Sequence, residues 1–198
     1  MKLVVIAAGL SEPSSTRLLA DRLAGATGRL LPVRTRVVEL RDLAVDIAKH
    51  LVSGFPSPAL REVLEAVAAA DGLIVVTPVF TASYSGLFKS FFDVLDRTAL
   101  VGKPVLLAAT GGSARHSLVL EHALRPMFSH LRAATLPTAV FAASPDWGSG
   151  AEAGGEELAG RIDRAAAELA AALGHAAPVR TNDELVPFAE QLAALGLD

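Results

Sequence analysis

Leu73-Ile74-Val75-Val76 is an unbroken apolar run that follows the turn signal Asp71-Gly72 and leads directly into Thr77-Pro78. A strand without polar alternation must be covered on both faces, which points to a parallel sheet held between helical layers. Pro78 removes one backbone donor and holds Thr77 extended, so pairing is expected to stop there and the chain to swing over the carboxyl edge of the sheet. Ligands of open α/β sheets bind at that edge.

The rest of the chain repeats the alternation of strand and helix. Strands are expected at Lys2 to Ala8, Thr35 to Leu40, Gly72 to Thr77, Lys103 to Ala109 and Thr138 to Ala142, with helices beginning near Ser15, Pro58, Ser83, Ser117 and Gly154. This predicts a three-layer α/β sandwich with a five-stranded parallel sheet in the order 2-1-3-4-5 and helices on both faces. In the last helix Leu158, Ile162, Ala165, Leu169 and Leu173 make one apolar stripe, with Gly174 expected to close it. One domain is expected over residues 1–175, with Ser144 to Gly155 as a surface loop. The tail 176–198 carries Val186, Phe188, Leu192 and Leu195 at helical spacing and suits either a strap on its own domain or an oligomer contact.

Composition narrows the function. With 52% hydrophobic and 20% charged residues in 198, there is ample material for a core, and disorder is excluded. A net charge of −3 without a Lys/Arg block speaks against nucleic acid or a membrane surface as partner. The absence of cysteine rules out a disulfide framework, a thiol nucleophile and thiolate metal sites, and suits a cytoplasmic protein. Lys2 followed by LVVIAAGL superficially resembles a secretory leader, but a Ser-rich loop and helix start stand where a cleavage region belongs. No run reaches the roughly 18 apolar residues needed to cross a bilayer.

Three loops fall at the predicted carboxyl edge. The first, Gly9 to Arg17, sets Ser11, Ser14, Ser15 and Thr16 at the start of a helix, where free N–H groups and the helix dipole attract an anion such as phosphate. Simple capping needs only one of these hydroxyls. The second, with Pro78, Val79, Phe80, Thr81, Ser83 and Tyr84, offers backbone donors and aromatic surface to a flat heterocycle. The third, Thr110-Gly111-Gly112-Ser113, lets backbone approach a ligand closely, and His116 lies near enough to line the same site. His122 suits a helix surface or interface.

Other chemistries lack their motifs. There is no G-x-x-x-x-G-K-[ST] loop, no G-x-G-x-x-G after the first strand, and no His spacing suited to a metal. Ser113 with His116 lacks the G-x-S-x-G elbow of a hydrolase. A phosphoacceptor receiver needs acidic residues where Ala8-Gly9 and Thr77 stand. The helix expected from Ser83 to Asp96 carries Leu87, Phe88, Phe91, Phe92 and Leu95, a stripe wide enough for Phe88 or Phe92 to meet a second subunit.

The first 142 residues resemble the NADPH-dependent FMN reductase family of flavodoxin-like proteins. T-P-V-F-T-A-S-Y-S-G-L-F-K-S-F-F-D at 77 to 93 is similar to that family's P-x-Y-x-x-S-Y-S-G-x-L-K stretch, and A-T-G-G-S at 109 to 113 with E-H-A-L-R-P at 121 to 126 resembles its second flavin loop and following helix. The resemblance is strongest to the branch that supplies reduced FMN to luciferase-like two-component monooxygenases.

It implies a flavodoxin-like fold in which Ser11, Ser14, Ser15 and Thr16 hold the FMN phosphate, Pro78 to Thr81 run along the isoalloxazine, and Thr110 to Ser113 serve its pyrimidine end. Hydride would pass from NADPH or NADH to FMN without a catalytic side chain or a metal, in a homodimer or homotetramer with a flavin-dependent monooxygenase as partner. Two departures stand out. Glu12 occupies a loop where the wider family often has Arg, leaving Arg17 as the nearest cation along the chain, and Phe80 replaces a Tyr. Weakened phosphate contacts imply FMN that exchanges as a substrate. The rival readings are a flavin-retaining quinone or azo-dye reductase and a flavodoxin-type electron carrier.

Overall fold

The computed structural model describes residues 1–147 and 152–175. The strands are β1 (Lys2–Ala7), β2 (Arg34–Glu39), β3 (Gly72–Phe80), β4 (Ser83–Tyr84), β5 (Pro104–Gly111), β6 (Ala134–Thr135) and β7 (Val140–Ala143). The helices are α1 (Ser15–Leu30), α2 (Ala44–Ser53), α3 (Pro58–Ala68), α4 (Gly86–Asp93), α5 (Arg125–His130) and α6 (Glu152–His175). The parallel path runs β2-β1-β3-β5-β6, with β7 also paired to β5. Because β6 and β7 lie end to end along β5, they are two halves of one strand position. The expected 2-1-3-4-5 order is therefore present.

Alternation along the buried strands divides the core in two. Val4, Ile6, Leu73, Val75, Val105 and Leu107 pack toward α2, α3, α4 and α5, whereas Leu3, Val5, Ile74, Val76 and Leu106 pack toward α1 and α6. The α6 stripe at Leu158, Ile162, Ala165, Leu169 and Leu173 is buried throughout.

Several boundaries differ from expectation for local reasons. β3 does not stop at Pro78 but continues to Phe80, with Pro78 in register with Thr110 of β5. Val76 accepts from Ala8 on the β1 side, and two residues on, Pro78 faces that same side after β1 has ended. The missing donor therefore breaks no ladder bond. Val79 and Phe80 then pair with Tyr84 and Ser83 in a tight antiparallel hairpin. Ser83 and Tyr84 are thus strand residues, and α4 starts at Gly86 behind the Ser85 cap, whose Oγ accepts from Phe88 N at 3.2 Å.

The fifth strand starts at Val140 rather than Thr138. Pro137 cannot donate, and Thr138 gives its N–H and hydroxyl to Glu168 at 2.8 and 2.6 Å. Gly174 lies within α6, which runs on to His175. α2 was not anticipated; it buries only Ile47 fully and has no side-chain N-cap, so its periodic signal is thin. The segment expected as one helix from Ser117 becomes a π turn at Leu120–Leu124 followed by α5. Phe88, Phe91 and Phe92 are buried and form one aromatic cluster with Phe128, so α4 spends its rings on the core rather than on a second subunit. Val186, Phe188, Leu192 and Leu195 of the expected tail contact lie outside the described residues.

Candidate functional site

The first loop is shaped by contact. A Cβ on Gly9 would lie 2.1 Å from Ser14 Oγ, so the chain leaving β1 passes directly against the cap of α1, where only glycine fits. Ser14 Oγ accepts from Arg17 N at 3.2 Å, and Ser11 Oγ donates to Pro13 O at 3.2 Å. Among the described residues the N–H groups of Ser15 and Thr16 have no protein acceptor. Those two donors, the positive end of the helix and the exposed Ser15 side chain make a neutral anion cradle. Thr16 turns inward instead, and its hydroxyl lies 2.8 Å from that of Thr110. This buried pair fastens the first loop to the third.

The second loop is the β3–β4 hairpin. Its tip, Thr81 and Ala82, has φ of 48° and 65°, the left-handed pair of a two-residue turn. The backbone N–H of Ser85 donates to Thr77 Oγ1 at 3.0 Å, and Thr77 Oγ1 donates to Pro78 O at 3.0 Å, closing the base of the hairpin. Phe80 remains 45% exposed, Pro78 and Val79 are half-buried, and Tyr84 rests 6.0 Å from Phe88.

In the third loop a Cβ on Gly111 would come within 2.9 Å of Phe141 Cζ, whereas Gly112 faces open space. Ser113 O accepts from His116 N at 3.3 Å in a short 3-10 turn. A cleft of about 390 Å³ lies between the hairpin and the segment after this loop and is lined by Ala82, Ser83, Arg115, His116, Val119 and His122, among others. The structure thus gathers the residues expected from three separate stretches at one edge. A larger groove, about 960 Å³, lies elsewhere, along α2, with a lining that includes Val45, Val52 and Phe55.

The fold also brings in a cation that is distant in sequence. Arg41, in the 3-10 turn after β2, donates Nη1 to Ser11 O at 3.1 Å, and its Nη2 pairs with Glu12 and with Glu39 at 3.0 Å. Arg17, expected as the loop's nearest cation, is held by Asp21 at 2.9 Å and Glu39 at 2.6 Å, and these hydrogen bonds raise its pKa further. The available signal was positional: Arg41 follows the second strand and so reaches the edge where the first loop lies.

A 2-1-3-4-5 parallel sheet with helices on both faces and three loops at its carboxyl edge defines a protein of flavodoxin-like fold. The family model described as NADPH-dependent FMN reductase matches residues 1–148. The chain belongs to that family. It is 44% identical over 172 residues to FMN reductase (NADPH) of Pseudomonas aeruginosa, covering 87% of this chain and 91% of that one. It is 42% identical over 173 residues to NADH-dependent FMN reductase SfnF of Pseudomonas fluorescens, with the same coverages of 87% and 91%. The crystal structure of an oxidoreductase from Corynebacterium diphtheriae matches with a TM-score of 0.85 at 46% identity, over 89% of this chain and 98% of that one.

Proposed function

We propose that this chain catalyses hydride transfer from NAD(P)H to FMN that enters and leaves as a substrate, and that it delivers reduced FMN to a flavin-dependent monooxygenase in the cytoplasm. The observation that supports this reading is the buried Thr16–Thr110 bond, which ties the start of α1 to the end of β5 and so joins the two stretches expected to take the phosphate and the ring. Bound FMN supplies the electron-accepting ring. The N–H groups of Ser15 and Thr16 and the hydroxyls of Ser14 and Ser15 would hold the phosphate, with Ser14 Oγ also accepting from Arg17 N, while the Ser11 hydroxyl is spent on Pro13 O and shapes the loop. Pro78, Val79, Phe80 and Thr81 form the wall for the ring. Gly112 and Ser113 bring backbone donors to the side where negative charge accumulates, with His116 behind them.

Exchange is favoured over a flavodoxin-type carrier because, among the described residues, the aromatic side chains do not form a sandwich. Trp147 packs under Arg22 at 5.0 Å against the α1–α6 layer, and Tyr84 is turned toward Phe88. Steady-state NAD(P)H oxidation with FMN varied tests the reading. A saturable requirement for added FMN is expected; full activity on a quinone without added flavin supports the retaining reductase instead.

Coenzyme choice differs between the two named relatives, one NADPH-dependent and one NADH-dependent. Arg115 is the candidate for a 2′-phosphate, since it lines the cleft beside the hairpin and has no carboxylate within ion-pair distance among the described residues. Arg115→Ala is expected to raise the KM for NADPH about tenfold, the scale of one charge-assisted contact, and to leave that for NADH unchanged. Equal effects on both coenzymes would remove Arg115 from this role.

A further inference from the structure

The phosphate loop lies within a network of charged side chains whose balance is unfavourable to the ligand it is shaped for. Two cations, Arg17 and Arg41, meet four carboxylates, Glu12, Asp21, Glu39 and Asp42, a net charge of −2 beside an anion cradle.

The two arginines are not equivalent. Arg17 lies on the flank of α1, where its Nε meets both oxygens of Asp21 at 2.9 and 3.0 Å and its Nη1 meets Glu39. Arg41 touches the loop itself. Its Nη1 is anchored by Ser11 O, and its Nη2 is shared by two carboxylates: Glu39, whose side chain is only 16% exposed, and Glu12, which is 77% exposed and belongs to the loop. Of these partners Glu12 is the one open to exchange.

We propose that Arg41 is the cation that reads the flavin phosphate and that Glu12 competes with the phosphate for it. A phosphate carries more charge than a carboxylate and has three acceptor oxygens, so it can displace an exposed glutamate from a guanidinium. Glu12, once released, stays in the loop as a like charge beside the bound anion and speeds its departure. The inference rests on the reading that this loop holds the FMN phosphate. It supplies a cause for exchange: the carboxylate weakens retention without removing the cation that confers selectivity.

Riboflavin carries the same ring without the phosphate and separates the two ideas. Binding is measured by quenching of flavin fluorescence, for FMN and riboflavin, with the wild type, Glu12→Gln, Arg41→Gln and the double variant at one low ionic strength. Glu12→Gln is expected to tighten FMN about fivefold, the scale of one exposed charge pair, with riboflavin unchanged. In the Arg41→Gln background that gain should vanish, because the competition has lost its object.

An unchanged FMN constant in Glu12→Gln, an equal shift for both flavins, or a gain that persists without Arg41 each overturns the proposal. Should Arg41→Gln fail to fold, the FMN-to-riboflavin ratio of Glu12→Gln alone decides. A wild type that binds neither flavin overturns the flavin reading as well. One that binds both, with a ratio Glu12→Gln does not alter, overturns only the competition.

Discussion

Thr16 and Thr110 are 94 positions apart, yet their hydroxyls meet at 2.8 Å in a buried setting. Removing one partner leaves the other hydroxyl desolvated and unpaired, whereas removing both leaves only apolar contact. Thr110→Val is therefore expected to cost about 1–3 kcal/mol of stability in urea unfolding, and the Thr16→Val/Thr110→Val double variant less than the sum of the two single changes. Additive losses would mean the bond is not coupled. The sequence placed Thr16 at the start of α1 and Thr110 at the carboxyl end of a strand, where the structure has them, but their bond to each other was not legible. Local spacing can place a hydroxyl at a loop, and only the tertiary fold decides which hydroxyl faces it. Arg41 escaped for the same reason, since its contact with Ser11 spans 30 positions.

A second buried polar residue carries a pH signature. Lys103 Nζ donates to Val67 O at 2.6 Å and Ala68 O at 2.8 Å, capping the carboxyl end of α3. Burial disfavours its ammonium and pushes the pKa down from 10.5 to about 8, partly opposed by Asp71. Between those two values the unfolded chain binds the proton that the folded protein has lost. The penalty is thus fully present below pH 8 and is relieved as pH rises toward 10.5. Relative to Lys103→Met, the wild type is expected to gain roughly 1–2 kcal/mol between about pH 7.5 and 9.5. Urea unfolding of both proteins at the two pH values gives the difference, and a flat difference would show that the helix-end carbonyls hold the ammonium against burial.

At the scale of the element, the hairpin between β3 and β4 is where local sequence was least informative. Two-residue turns of this hand normally carry Asn-Gly or Asp-Gly, but here Thr81 and Ala82 occupy the left-handed positions. Nothing in Thr-Ala announces a turn, so Ser83 and Tyr84 read as helix residues. A β-branched residue with positive φ is strained, and such strain is retained where surrounding structure over-determines it. The Thr77 hydroxyl, which joins Pro78 O to Ser85 N, provides that constraint. Thr81→Asn/Ala82→Gly is expected to stabilise the protein by about 1 kcal/mol in thermal unfolding. Unchanged or lower stability would place the constraint in the side chains of Thr81 and Ala82 themselves. The existence and order of the five main strands, by contrast, were legible, because continuous apolar runs between turn signals have few alternatives, although β3 and β5 run past their expected ends to Phe80 and Gly111. α2, with one fully buried residue, carried too little periodicity to compete.

For the molecule as a whole, the open question is how many copies assemble. A homodimer or homotetramer was expected through α4 or the tail 176–198; the tail lies outside the described residues, and Phe88 and Phe92 of α4 point into the core. Among the described residues an exposed apolar cluster lies on α2 and the turn after it, where Val45 is 66%, Val52 91% and Phe55 79% exposed. These residues line the 960 Å³ groove together with Asp46 and Lys49. A patch holding a protruding Phe, a groove and one charge of each sign is suited to meet a second copy about a two-fold axis. Self-association through this face follows as a proposal. Light scattering is expected to give at least twice the chain mass for the wild type, and half that value or less for Val52→Asp/Phe55→Ser. Both substitutions lie on exposed positions, so circular dichroism and flavin binding should be preserved in the variant. A monomeric wild type, or a variant that assembles as before, would take the interface away from α2. The groove lies apart from the three loops, so loss of assembly is expected to alter mass without altering FMN affinity; a parallel loss of affinity would mean that the partner copy contributes to the site.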